Sequence, residues 1–85
     1  MRWNSGAISA VVEVDLHGSN CYQAEVKINA ALSRSRGVYR IRVIHGYRNG
    51  TVLKDFVRER YADDPRVLRL DLSRAGSTDL VLREL

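Results

Sequence analysis

Twice along this chain a run of alternating apolar and polar residues ends in the dipeptide His-Gly, and each time a helical pattern follows at once. The first run is Val11-Val12-Glu13-Val14-Asp15-Leu16, closed by His17-Gly18. Its period of two is that of a strand. Ser19 and Asn20 are then good N-cap types, and Tyr22, Ala24, Ile28, Ala31 and Leu32 carry the spacing of a helix's apolar stripe, which Gly37 terminates. The second run, Tyr39 to Ile44, puts Tyr39, Ile41 and Val43 on one face and Arg40 and Arg42 on the other. Its alternation breaks at Ile44-His45, as in a strand entering the covered middle of a sheet.

The stretch from Gly46 to Gly50 turns the chain into a second helix, with Thr51 or Asn49 as its cap and Val52, Leu53, Phe56 and Val57 as its buried stripe, joined by the Arg60 stem or Tyr61. Asp63-Asp64-Pro65 ends it, because proline cannot continue a helix. Two further strands follow, Val67 to Leu72 and Asp79 to Leu85, with Ser73 to Thr78 as the loop between them. The order β-α-β-α-β-β predicts an α/β fold of two layers, a four-stranded mixed sheet with two helices. The first two strands are expected to be parallel and the last two antiparallel. Residues 1–10 read as an N-terminal extension and 11–85 as one domain.

A chain of 85 residues buries roughly 60–65% of the surface it exposes when unfolded, so its core is thin and has no room for a haem or flavin. The single cysteine, Cys21, excludes both an internal disulfide and a zinc site built on several thiols. Too few apolar residues follow Met1-Arg2-Trp3-Asn4-Ser5-Gly6, ahead of Glu13 and Asp15, to make a signal core or a membrane span. A cytoplasmic monomer is the expectation.

Charge narrows the field of partners. Arginines outnumber lysines twelve to two, and no acidic residue falls between Glu25 and Asp55. Lys27, Arg34, Arg36, Arg40, Arg42, Arg48 and Lys54 all lie there for +7, while the flanking segments sum to −2 and −1 and leave a net charge of +4. Guanidinium forks suit phosphate, so an anionic partner, nucleic acid above all, leads. The competing reading is an arginine-rich solvated surface, with Arg40 and Arg42 merely forming the polar face of a sheet.

If the two His-Gly strands are parallel neighbours, His17 and His45 share the carboxyl edge of the sheet, where open α/β folds bind ligands. Asp15, two residues before His17, is placed to accept from a ring N–H and fix a tautomer, or else to serve the turn at Ser19 and Asn20. The loop His45-Gly46-Tyr47-Arg48-Asn49-Gly50 runs into a helix N-terminus, whose free N–H groups favour a phosphate. Gly46 and Gly50 allow close backbone approach, Arg48 offers a bidentate contact, and Tyr47 a ring for stacking on an unpaired base.

Val14-Asp15-Leu16-His17-Gly18 resembles the LDLHG motif that opens the Smr (small MutS-related) domain, and His45-Gly46-Tyr47-Arg48-Asn49-Gly50 is similar to that family's HGxG motif. Gly76-Ser77-Thr78 with Leu80-Val81-Leu82 is similar to its closing segment. The resemblance runs from about Val12 onward. It implies a fold like the C-terminal domain of bacterial translation initiation factor three, and binding with endonucleolytic cleavage of DNA or RNA. By position, Asp15, Leu16 and His17 match the first motif, and His45, Gly46 and Gly50 the second. The second loop is two residues longer than HGxG and lacks a lysine after its first glycine, a place Arg48 would take.

The resulting expectation is a nuclease with Asp15, His17 and His45 as catalytic residues. Leu16, Gly18, Gly46, Tyr47, Arg48, Gly50, Arg40 and Arg42 would contact nucleic acid. On RNA, one histidine deprotonates the 2′-OH and the other protonates the leaving oxygen, with no metal required. On DNA, water must be activated, usually with Mg²⁺ or Mn²⁺, and Asp15 alone makes a poor cage. The alternatives are a nucleic-acid-binding module without catalysis and a protein-interaction domain that uses the terminal strand as an open edge.

Overall fold

The computed structural model describes residues 10–46 and 51–84. Its elements are β1 (Ala10–Asp15), α1 (Cys21–Ser33), β2 (Val38–Ile44), α2 (Val52–Tyr61), β3 (Arg69–Asp71) and β4 (Ser77–Val81), in the order expected. The sheet runs β1-β2-β4-β3, with β1 and β2 parallel and β4 antiparallel to both β2 and β3. The chain thus forms the two-layer arrangement of two helices and a four-stranded mixed sheet.

Local chemistry accounts for the start of α1. Asn20 Oδ1 accepts from the Gln23 backbone N–H at 2.8 Å, and Gln23 Oε1 accepts in return from the Asn20 N–H at 3.0 Å. Each satisfies a donor that the first helical turn leaves orphaned. Ala24, Ile28 and Leu32 then descend one face of α1 and meet Ile41, Val43 and Leu80 of the sheet and Val57 and Tyr61 of α2. Tyr61 is fully buried, and its hydroxyl donates to Asn29 Oδ1 at 2.8 Å, which spares the phenol an unsatisfied burial.

Three boundaries move. Tyr39 does not share the core face; Val38 is buried in its place, and a register shift between Ala10 and Val11 skips Tyr39 in the ladder with β1. That bulge resets the alternation, so Ile41 and Val43 stay inward. The strand expected over Val67 to Leu72 is reduced to three laddered residues, with Leu68 and Leu72 exposed at its ends. The last strand begins earlier and stops at Val81; it is flanked on both sides, so it is no open edge. The edges are β1 and β3.

On the sheet face away from the helices, Asp71 and Asp79 lie directly opposite one another on β3 and β4. Like charges so placed repel. Arg40 resolves the conflict by reaching across from β2, its NH1 at 2.9 Å from Asp71 and 2.7 Å from Asp79. Arg42, paired with Asp79 in register, donates to both of its oxygens at 3.0 and 3.1 Å.

Candidate functional site

Because β1 and β2 are parallel and adjacent, both His-Gly corners emerge at one edge. The ladder holds to its last residue: Asp15 pairs with Ile44, and the Leu16 N–H donates to the Ile44 carbonyl at 2.9 Å. His17-Gly18 leads from there into the N-terminus of α1, and His45-Gly46 towards that of α2. Gly18 and Gly46 both adopt φ of +75°, the left-handed region that glycine enters without strain, and a Cβ at either would meet no other atom. Backbone conformation alone therefore selects glycine at these corners. Leu16 is fully buried and anchors the first corner to the core, so its role is packing.

The two histidines live in different surroundings. His17 is exposed, and Asp15 Oδ1 accepts from its backbone N–H at 2.9 Å. The carboxylate fixes the turn that carries His17; the expected bond to the ring itself is replaced by this main-chain one. His45 is half-buried and held at both ring nitrogens. Nδ1 lies 2.9 Å from the Gly46 carbonyl and Nε2 2.9 Å from Thr78 Oγ1. Its backbone N–H and that of Gly46 both point to the Gly76 carbonyl, at 3.1 and 2.9 Å, which ties the second corner to the entry of β4. Thr78 is fully buried and also accepts from Arg58 Nε at 2.9 Å.

Burial lowers the pKa of His45 below its ordinary value, the Gly46 carbonyl opposes this, and the positive charges of Arg58 and Lys54 add to the lowering. The sign of the pH effect follows. An unfolded ring takes up a proton near pH 6.5, whereas the folded ring resists until lower pH, so acidification through that interval favours unfolding. Thermal melts between about pH 7.5 and about pH 5 should therefore show Tm falling more steeply in the wild-type chain than in His45→Asn. Equal slopes would refute the assignment.

Lys54 and Arg58 stand one helical turn apart on α2, and Arg74 is exposed in the loop two residues before Gly76. Lys54 and Arg58 bring positive charge to His45, and Arg74 lies in the loop that Gly76 ties to that corner; sequence reading counted Lys54 only within the basic stretch and passed over Arg58 and Arg74. The i, i+4 spacing of Lys54 and Arg58 in the opening turns of a helix that follows a His-Gly loop was the available signal. Thr78 was equally overlooked, as part of a loop. The basic stretch itself is divided by the fold. Arg34 and Arg36 follow the C-terminal end of α1, at the opposite edge of the sheet. Arg40 and Arg42 were expected to face nucleic acid, but their guanidinium groups are directed to Asp71 and Asp79 on the far face. Tyr47, Arg48 and Gly50 lie outside the described residues.

Residues 14–78 match the family model of the Smr domain. The chain belongs to the Smr domain family. Among solved structures, it is similar to the crystal structure of the Smr domain of Thermus thermophilus MutS2, with 29% identity and a TM-score of 0.73 over 86% of this chain and 99% of that one. No curated protein matches the chain. The matched span of this Smr domain includes both His-Gly corners, Arg58 and Thr78. Among the described residues, no helix is long and apolar enough to cross a membrane, and no group of three or more His, Cys, Asp or Glu side chains is placed to hold a metal ion.

Proposed function

We propose that this Smr domain binds the phosphodiester backbone of RNA along the carboxyl edge of β1 and β2 and cleaves it there. The observation that carries the reading is the convergence of two glycine corners and two helix N-termini on one edge, with an exposed imidazole and nearby cations. Free N–H groups at helix starts and the positive ends of their dipoles favour a phosphate. RNA is preferred over DNA as substrate because it brings its own nucleophile. An imidazole accepts the 2′-OH proton, the 2′-oxygen bonds to phosphorus, and the bond to the 5′-oxygen breaks. That oxygen takes a proton and a 2′,3′-cyclic phosphate remains. His17 is free to exchange a proton with such a substrate.

A binding module without catalysis is the second reading, and one observation favours it: both ring nitrogens of His45 are already engaged within the protein. The two readings share the binding edge and part at turnover. Labelled RNA and DNA incubated with the protein, with and without EDTA, separate them. The nuclease reading predicts EDTA-resistant cleavage of RNA that is lost in His17→Ala; binding with no cleavage leaves the second reading. Affinity for single-stranded RNA should fall with salt. Contacts from Lys54, Arg58 and Arg74 give a log–log slope of about −2, and Lys54→Ala or Arg74→Ala should reduce its size by about 0.7 each. Arg34→Ala should leave it unchanged. Affinity that does not vary with salt contradicts both readings.

A further inference from the structure

We infer that Arg58 and Thr78 are positioning residues that lock the His45 ring in a single tautomer and orientation, so that His45 holds the second glycine corner in place while proton exchange falls to His17. The activity part of this inference rests on the proposed function; the tautomer part stands without it.

Donor and acceptor capacity fixes the direction of each bond. The Gly46 carbonyl only accepts, so Nδ1, 2.9 Å away, must carry the hydrogen. A neutral ring then has a lone pair at Nε2, which requires a donor, and Thr78 Oγ1 is the atom 2.9 Å from it. The guanidinium of Arg58 has no lone pair to offer and donates its Nε–H to the same hydroxyl oxygen at 2.9 Å. The threonine proton is thereby turned towards His45. The chain of donors runs Arg58 Nε–H to Thr78, Thr78 O–H to His45 Nε2, and His45 Nδ1–H to the Gly46 carbonyl, with no conflict along it. A protonated ring would present a second N–H to the threonine oxygen, displace the hydroxyl proton, and stand near the positive charges of Arg58 and Lys54.

The elements packed around the ring agree. From α2 the charged groups are Arg58 and Lys54. From β4 the nearest carboxylate, Asp79, is turned to the opposite sheet face and bonded to Arg40 and Arg42. From the end of β1, Asp15 is bonded to the His17 main chain. Arg74, in the loop before β4, is exposed. The Thr78 hydroxyl joins α2, β4 and the loop after β2 at one point.

Long-range ¹H–¹⁵N correlation spectra of the intact 85-residue chain report ring tautomers directly. In the wild-type protein at neutral pH, His45 should show one tautomer with the hydrogen on Nδ1, and exposed His17 a mixture. Thr78→Val keeps the shape and removes the hydroxyl; it should give His45 a tautomer mixture and alter its titration, while His17 stays as it was. Thr78→Ser should restore the wild-type pattern, and Arg58→Gln should loosen it without touching the hydroxyl. A wild-type His45 carrying its hydrogen on Nε2, or a Thr78→Val spectrum identical to wild type, overturns the inference. The wild-type spectrum alone decides the first of these, whatever the variants' stability. Absence of RNA cleavage in the same preparation counts against the nuclease reading and leaves the tautomer result intact.

Discussion

His17→Ala is expected to slow RNA cleavage by about 10²–10⁴-fold, the usual contribution of a positioned proton-transfer group, with little change in Tm. The ring is exposed, and its loss removes no packing. What holds the corner is elsewhere: Leu16 in the core, Asp15 on the His17 main chain, and the Ser19 N–H on the Leu16 carbonyl at 2.8 Å. Activity and stability therefore separate at this position. His45→Ala behaves differently, because it deletes the ring bond to Thr78 that joins the β2 end to β4 and the bond to the Gly46 carbonyl that holds the corner; it should lower Tm as well as activity. A His17→Ala protein that cleaves RNA at the wild-type rate would remove His17 from the chemistry.

Asp79→Ala is expected to be the most destabilising change among the ion-paired residues of the sheet, at about 3 kcal/mol. That corresponds to a fall in Tm on the order of 15 °C for a domain of this size. Asp79 is only 2% exposed, and burial alone would push its carboxyl up. The hydrogen bonds from Arg42 and Arg40 outweigh burial and hold it below the usual carboxylate range. Its stabilising effect is thus present above about pH 4 and lost as pH falls towards the folded value. Alanine would strand the Arg42 guanidinium and take one of two carboxylate partners from Arg40, whose Nε is already buried without a partner. Asp71 would retain Arg40, and Arg42 would keep no carboxylate bond. Chemical denaturation of Asp79→Ala beside Asp55→Ala, an exposed control in the first turn of α2, measures the difference. Equal stabilities would show that the cluster contributes nothing.

The two predictions draw on opposite ends of what the sequence makes legible. The helices, the parallel pair and the shared histidine edge follow from patterning, because Ile28, Leu32, Ile41 and Val43 recur at the periods their elements impose. The start of β4 does not. Ser77 and Thr78 read as loop, yet with Asp79, the expected first residue of that strand, they are buried in a central strand. Thr78 and Asp79 survive there because their side chains are satisfied by residues distant in sequence. Arg40 and Arg42 lie more than thirty positions from Asp79, and His45 a similar distance from Thr78. Periodicity contains no record of such pairings. The same holds for the basic stretch: its charge was countable, but its division between two edges and a far face is a property of the topology.

The most direct test of the binding edge is a titration of ¹⁵N-labelled protein with a short single-stranded RNA, followed through backbone amide shifts. The account predicts perturbations at Asp15 to Ser19, at His45 and Gly46, along Lys54 to Arg58 and from Arg74 to Thr78, with Arg34, Arg36 and Arg69 unmoved. Shifts confined to Arg34 and Arg36 at the other end of the sheet would contradict it.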